Sequence, residues 1–248
     1  MKKILLLVVG GALLLSLSSA VAQNVAMYAD GGFQGAIWSG GSEGSVATGF
    51  YDGSINNVSV GPGQSSPGMI CDDYYDNVTA GEHWMATGYQ VSTLNAGNIG
   101  QTLFGGANTH WSAVVSGWTA IQGYQALAYL ANDMFTNAIG NSSLQSSISQ
   151  ALWYLTSKAI GRPIGGLDST AQGLVNYVEN IQNDPALNTY AGLFLYTQPF
   201  IPTGPQEMWG QIPVPEGGSP LMYLLLAGIT CFGAMFYSRR RTAMGGLA

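Results

Sequence analysis

The stretch TAIQGYQALAYLANDMFTNAI, residues 119–139, decides the fold class because its apolar residues recur every three or four positions. This spacing is typical of a helix that buries one face. The apolar positions are Ile121, Tyr124, Leu127, Leu130, Met134, Phe135 and Ile139. The next stretch, SLQSSISQALWYLTSKAI at residues 143–160, continues the rhythm. Its apolar positions are Leu144, Ile148, Leu152, Leu155 and Ala159. Two consecutive helices are predicted.

A third helix is predicted to follow Asp168, because aspartate commonly caps the first turn of a helix. It would run towards Ile181 and turn Leu174, Tyr177 and Val178 inward.

Short segments that alternate apolar and small polar residues surround the helices, and they favour β-strands. They are VAMYA (25–29), AIWSG (36–40), NVSVG (57–61), HWMATGYQVSTL (83–94), THWSAVVS (109–116), GLFLYTQPF (192–200) and EMWGQIP (207–213). The combination of strands with a block of helices predicts one α+β domain.

The composition excludes several classes of protein. Apolar residues make up 47% of the 248 residues, which is too many for a disordered chain, and charged residues only 8%, against about 25% in an average protein. Between the two ends of the chain the basic residues are Lys158 and Arg162 alone. A cationic patch for phosphates is therefore missing, and no nucleic-acid partner is expected.

Metal-binding residues are scarce as well. The histidines and cysteines are His83, His110, Cys71 and Cys231, too few for a zinc cluster or a disulfide scaffold. The acidic group Asp72, Asp73 and Asp76 lacks the spacing of a calcium-binding loop, so its carboxylates are predicted to be solvated or to cap backbone N–H groups. Neither a metal site nor a cofactor is expected.

Residues 1–22 read as a secretory signal peptide. Lys2 and Lys3 precede an apolar run, and Ala20-Val21-Ala22 matches the small-x-small cleavage pattern. The predicted mature chain begins at Gln23.

The C-terminal end reads as a membrane anchor. An apolar run at residues 220–237 is followed by Arg239, Arg240 and Arg241. As a helix it would be roughly 27 Å long, enough to span a bilayer, with the arginines on the cytoplasmic side. The predicted division is an outer domain at 23–200, a linker at 201–218, a membrane helix at 219–238 and a basic tail at 239–248.

The motif before that helix is VPEGG, formed by Val214, Pro215, Glu216, Gly217 and Gly218. Motif, helix and arginine cluster together resemble the PEP-CTERM class of bacterial sorting signals, although Gly217 replaces the usual second proline. The resemblance implies an exosortase-type processing enzyme as partner. It also implies a transient stay in the inner membrane and a final location in the cell envelope or an extracellular polysaccharide matrix, as in a biofilm.

Cys71 is the single cysteine of the predicted outer domain, which is unusual in an oxidising compartment. From the residues alone it is a buried hydrophobic residue, a catalytic thiol, a metal ligand or half of an intermolecular disulfide. A catalytic thiol would require His83 or His110 as a base. Neither histidine has a recognisable context, so an enzyme is not expected.

Two segments resemble bacterial thioester domains: MICDDYYDNVTAGEHW (69–84) and SISQALWYLT (147–156). The resemblance extends over about residues 49–200 and implies a thioester-domain-like fold, with β-strands and an inserted helical bundle. It departs from the pattern at Ile70, where an aromatic residue is more usual. It further implies that the Cys71 sulfur attacks the Gln150 side-chain carbonyl and expels ammonia, and that an amine on a partner surface later opens the bond.

Two functions are therefore expected. One is an adhesin-like surface protein that attaches covalently to amines through Cys71 and Gln150. The other is a non-covalent structural component of an extracellular polymeric matrix. Lys158 is the single lysine between the two signals. It lies about 80° round the helix from Gln150 and two turns along, and it is predicted to be a solvated surface charge and not a target of the thioester.

Overall fold

Antiparallel strands and α-helices make up the described part of the chain, which in this computed structural model comprises residues 23–41, 44–75, 78–180, 190, 192–197 and 206–212. The helices are α1 (Ala120–Asn137), α2 (Ser142–Ala159) and α3 (Ser169–Asn180). The strands are β1 (Gln23–Phe33), β2 (Ile37–Gly41), β3 (Gly44–Ala47), β4 (Phe50–Ile55), β5 (Val58–Val60), β6 (Met69–Cys71), β7 (Glu82–Gln90), β8 (Phe194–Thr197) and β9 (Met208–Gly210).

Six strands close into a barrel. They follow the order β1-β7-β8-β9-β6-β4, and β4 pairs again with β1. The short strand β5 adds to β4, and β2 pairs with β3 in a separate hairpin. All three helices lie between β7 and β8 in the chain. The prediction of a mixed fold of strands and helices is confirmed at this level.

The barrel is filled by alternate residues of its strands, as the pleat of a β-strand requires. In β1 the inward residues are Val25, Met27 and Ala29, each at most 2% exposed. Inward residues of the other strands join the same cluster, among them Met69, Cys71, Trp84, Ala86, Tyr196 and Met208.

A larger core lies between the barrel and the helices. The outward faces of the strands contribute Phe50, Ile70, Leu195 and Trp209. The helices contribute the positions predicted from the sequence, including Leu127, Leu130, Leu152 and Leu155, all fully buried. The periodicity therefore identified the inward faces of α1 and α2 correctly.

Two predicted inward positions are wrong. Ile139 is 59% exposed because α1 ends at Asn137, so the helical phase no longer applies to it. Tyr177 is 48% exposed, and its ring packs against Tyr129 with 5.3 Å between the centroids. Each side chain lies at the edge of the helical core.

The segment 109–116, predicted as a strand, instead contains a single 3₁₀ turn, Trp111–Ala113. Trp111 is 2% exposed, and its indole N–H donates to the carbonyl of Phe104 at 2.7 Å. Its side chain packs against Gly123 of α1, and Val114 is buried in the same core. Burial of these side chains, without a strand, explains the apolar residues here.

Strand β9 confirms the strand predicted at 207–213, although it lies inside the range 201–218 predicted to be a linker. Its residues pair with β6 and β8 and complete the barrel. The folded domain therefore extends beyond residue 200.

Each helix begins with a polar side chain that accepts a hydrogen bond from a backbone N–H of the first turn. Thr119 forms a capping box with Gln122 in α1, and Asn141 accepts from Leu144 in α2. Asp168 accepts from the Ala171 N–H at 2.8 Å, which confirms the predicted cap of α3. Such caps satisfy N–H groups that the helix itself leaves unpaired.

Gly123→Ala is expected to destabilise the protein by about 1–3 kcal/mol, the range for overpacking a core. An added Cβ would lie 2.2 Å from the buried Trp111 ring, which its hydrogen bond to Phe104 holds in place. Gly173→Ala in α3 is the matched control, because nothing lies within 4 Å of its added Cβ. The control is expected to gain up to about 1 kcal/mol from helix propensity. Urea unfolding of both variants measures the difference, and shifts of the same sign would contradict this packing.

Among the described residues, no helix has the length and apolar character needed to cross a membrane. The predicted signal peptide at 1–22 and the predicted membrane helix at 219–238 lie outside those residues. So do the sorting motif at 214–218 and the arginines at 239–241.

Candidate functional site

Cys71 is the last residue of β6, a three-residue strand held between β4 and β9. The chain leaves the barrel immediately after it, through Asp72 and Asp73. Gln150 lies in the middle of α2. The geometry of the candidate site therefore depends on how α2 packs against the end of β6.

One face of α2 packs against this end of the barrel. The Trp153 indole N–H donates to the Cys71 carbonyl at 3.1 Å, and the Thr156 hydroxyl donates to the Asp72 carbonyl at 2.7 Å. One turn earlier, the Ser149 hydroxyl accepts from the Gly49 N–H at 2.9 Å. Positions 149, 153 and 156 share a helix face. The structure thus brings together the two segments that the sequence analysis singled out.

Gln150 lies about 100° around the helix from Ser149 and points to a different neighbour. Its Oε1 accepts from the Asp168 backbone N–H at 2.9 Å. Its Nε2 donates to Asp168 Oδ2 at 2.9 Å and to Ser146 Oγ at 3.3 Å. The carboxamide is 2% exposed. It is therefore fully hydrogen-bonded and ties α2 to the start of α3.

These contacts also affect Asp168. Burial opposes its ionisation, but hydrogen bonds from Ala171, Ser147 and Gln150 outweigh burial and lower the pKa of this carboxyl. An ionised acceptor makes the hydrogen bond from Gln150 stronger than one between neutral groups.

The Cys71 thiol is 1% exposed, inside the barrel. It donates to the Asp73 carbonyl at 3.1 Å, and its sulfur accepts from the Asp73 N–H at 3.3 Å. Burial raises the pKa of the thiol well above its usual value, and the charge of Asp73 adds to the rise. Hydrogen bonds to Asp73 and Trp153 lower it in part. The sulfur is therefore a neutral thiol at neutral pH, and the thiolate is the reactive form.

The hydrogen bonds of the two predicted thioester residues thus lead to different partners. Those of Cys71 lead to Asp73 and Trp153, and those of Gln150 to Asp168 and Ser146. The Cys71–Gln150 bond stays a prediction. Forming it requires the Gln150 carboxamide to leave Asp168.

The structure does not unite Cys71 with a histidine. His83 is exposed on the outer face of β7, where its ring stacks on Tyr28 at 4.4 Å. His110 is exposed too, and its backbone N–H donates to the Ala159 carbonyl. The described residues contain no group of three or more His, Cys, Asp or Glu side chains able to hold a metal ion.

A buried acidic pair, Asp72 and Glu207, is not predictable from the sequence. Asp72, predicted to be solvated or to cap backbone, is fully buried and accepts from the Trp209 indole N–H at 2.7 Å. Glu207 is fully buried and accepts from the Tyr124 hydroxyl at 2.6 Å. Asp73 fits the prediction, because it caps the Tyr75 N–H at 2.9 Å. Asp76 lies outside the described residues.

Lys158 is not a free surface charge. Its ammonium group pairs with Glu179 at 3.2 Å and lies 5.4 Å from the centre of the Tyr154 ring. Its side chain is 26% exposed. The pairing directs this amine towards α3.

No protein-family model matches this chain, and searches of curated proteins and of solved structures find no similar protein. Functional inference therefore rests on the residues and their geometry.

Proposed function

We propose that this chain is a secreted bacterial protein of the cell surface or extracellular matrix that acts as a non-covalent structural component. One observation supports a non-covalent role over covalent attachment. The Gln150 carboxamide and the Cys71 thiol are both buried and hydrogen-bonded to other partners, Asp168 and Asp73. Each group thereby has a structural role without reacting.

Secretion is supported by the sequence at both ends of the domain. Residues 1–22 have the pattern of a signal peptide, and the VPEGG motif with its apolar run and arginines resembles a sorting signal. An exosortase-type enzyme in the inner membrane would process the chain near Pro215 and Glu216. The surface of the domain, poor in charge and rich in neutral polar residues, suits contact with polysaccharide in a hydrated matrix.

An adhesin-like thioester domain is the second candidate, because α2 is docked on the Cys71 segment. The Trp153 indole donates to the Cys71 carbonyl, and Gln150 lies one turn before Trp153 on the same helix. The barrel with helices inserted between β7 and β8 supports the resemblance in fold. The reaction would join the Cys71 sulfur to the Gln150 carbonyl carbon and release ammonia, with the thiol proton leaving on the ammonia.

That reaction has two obstacles in this geometry. Three hydrogen bonds of the Gln150 carboxamide must break. The bond to Ser146 and the bond from the Asp168 N–H are each worth about 0.5–1.5 kcal/mol, and the bond to the Asp168 carboxylate is worth about 1.5–3 kcal/mol. The thiol must also lose its proton in a buried site that contains Asp72 and Asp73. Both obstacles favour the non-covalent proposal.

Intact mass spectrometry separates the two candidates. The purified protein, with its two ends determined, is expected to show its full sequence mass, because the Gln150 amide nitrogen is retained. A thioester would make the protein about 17 Da lighter, the mass of one ammonia. Reaction of that thioester with a small primary amine would then add the mass of the amine to the protein. A mass deficit in the wild type would overturn the non-covalent proposal.

Three variants make the result specific. Cys71→Ala and Gln150→Ala each remove one end of the bond and would abolish any deficit. Gln145→Ala is the matched control, because Gln145 is a second buried glutamine of α2 that donates to the Ala138 carbonyl. A mass deficit in the wild type and in Gln145→Ala, but in neither Cys71→Ala nor Gln150→Ala, identifies the Cys71–Gln150 bond.

A further inference from the structure

Two buried carboxyl groups face each other where the barrel meets the helices. Strands β6 and β9 are antiparallel, with Cys71 opposite Met208. The next position along each strand is Asp72 on one side and Glu207 on the other. Both side chains are fully buried. The register alone therefore places two acids side by side in the interior.

The hydrogen bonds of the pair leave one oxygen without a donor. Glu207 accepts from the Tyr124 hydroxyl at 2.6 Å and from the Leu103 N–H at 3.0 Å. Asp72 Oδ2 accepts from Trp209 at 2.7 Å, but Asp72 Oδ1 is buried and no N–H or O–H group of the described residues donates to it. An unpaired buried oxygen is costly, whereas a protonated carboxyl becomes a donor. A proton on Asp72 would remove that cost by donating to Glu207.

Among the residues that the structure describes, no cation neutralises the pair. The lysine and arginine of this part are Lys158, which pairs with Glu179, and Arg162, which lies 3.7 Å from the centre of the Tyr75 ring. The histidines, His83 and His110, are both exposed. The titratable groups that face the pair come from each element packed against it: Cys71 in β6, Asp73 after it and Tyr124 in α1. None of them supplies a positive charge. Two adjacent buried carboxylates without a cation are too costly to ionise together.

The shifts of the two acids agree with this geometry. Burial, followed by the Glu207 charge, raises the pKa of Asp72 well above its usual value, although the Trp209 hydrogen bond acts in the opposite direction. Burial also raises the pKa of Glu207, while hydrogen bonds from Thr197, Tyr124, Leu103 and Asp72 lower it in part. Both shifts have the direction expected of a pair that keeps one proton.

We infer that Asp72 and Glu207 share one proton in the folded protein, and that this pair makes the junction between barrel and helices a pH-sensitive element that weakens as the pH rises. The junction connects β6, β9, α1 and the segment around Leu103. It also adjoins Cys71, so a weaker junction loosens the candidate thiol site.

The sign follows from proton binding. In the unfolded chain an aspartate is ionised above about pH 4, whereas the folded pair keeps its proton. Unfolding therefore releases a proton in this range, and the unfolding equilibrium constant rises tenfold per pH unit for that proton. The stabilisation by this proton is complete below the pKa that Asp72 has in the unfolded chain. It disappears as the pH rises through the pKa of the pair in the folded protein. Below about pH 8 the unfolded cysteine still keeps its own proton.

The experiment is urea unfolding of the full chain in non-ionic detergent at several pH values between 5 and 8. Tryptophan fluorescence monitors the unfolding transition. Relative to Asp72→Asn, the wild type is expected to show about a tenfold larger increase in unfolding constant per pH unit. Asparagine has the shape of the protonated acid, donates to Glu207 and accepts from Trp209, but it does not titrate. Asp30→Asn, on an exposed carboxylate that caps Gly32, is the control and should keep the wild-type slope.

Glu207→Gln provides a second variant and should flatten the slope in the same way, because Asp72 can then ionise against an amide donor. Equal slopes in the wild type and in a folded pair variant would overturn the inference. If neither variant folds, infrared spectroscopy of the folded wild type at pH 7 decides. The carbonyl band of a protonated carboxylic acid supports the shared proton, and its absence overturns it.

Discussion

Trp153→Ala is expected to lower the free energy of unfolding by about 3–5 kcal/mol, the range for truncating a buried tryptophan. Trp153 is 2% exposed, and its ring packs against Trp38 and Tyr74 with centroids 6.0 and 5.7 Å away. Its indole also donates to the Cys71 carbonyl. The substitution therefore removes both packing and the contact that fixes α2 to the end of β6. Urea unfolding measures the loss.

Trp153→Phe separates the two contributions. Phenylalanine keeps an aromatic ring but lacks the N–H donor, so the buried Cys71 carbonyl loses a partner at a cost of about 1–3 kcal/mol. Tyr177→Ala is the control, since this tyrosine is 48% exposed and should change stability by less than about half a kilocalorie. A Trp153→Ala loss no larger than this control would show that α2 is not anchored through Trp153.

Leu127→Ala and Leu152→Ala are each expected to destabilise the protein by about 2–5 kcal/mol. Both leucines are fully buried, at the centre of the inward faces of α1 and α2. Truncation leaves a cavity that the neighbouring helices fill only in part. Ile139→Ala is the control, because Ile139 is 59% exposed. Losses as small as that of the control in the same urea titration would mean that these helices turn different faces to the core.

The helices were predictable because their signal is local. A period of three or four residues defines an inward face without any knowledge of its partner, and Leu127 and Leu152 lie where that period places them. The strands β3, β4 and β6 were missed for the opposite reason. Strand β6 has three residues, and Ile70 and Cys71 are both buried although they point to opposite sides of the sheet. Such a strand has no alternation to detect, and only its pairing with β4 and β9 defines it.

The candidate site was predictable to the level of segments. The sequence indicated that the Cys71 segment and the Gln150 helix belong together, and Trp153 joins them in the structure. Which face of α2 meets the barrel depends on a rotation of 100° per residue. That rotation places Ser149 at the contact with Gly49 and turns Gln150 towards Asp168.

The buried acidic pair, Asp72 and Glu207, could not be predicted from the sequence. Asp72 and Trp209 hydrogen-bond across 137 positions of the chain, and Glu207 enters through the register of β6 with β9. In the sequence, an acidic residue such as Glu207 at the start of an aromatic strand predicts an exposed strand end. Only the three-dimensional pairing identifies it as a buried group.

The order of strands in the barrel determines when during synthesis it can close. The two strands that fill the gap between β7 and β6 are β8 and β9, the last two strands of the described residues. Until they emerge, a nascent chain carries two unpaired strand edges, which are templates for association with other chains. The helices, built from local contacts, can form much earlier than this long-range pairing. A nascent chain whose synthesis stops before residue 206 would therefore have an open, aggregation-prone sheet with its helices already formed.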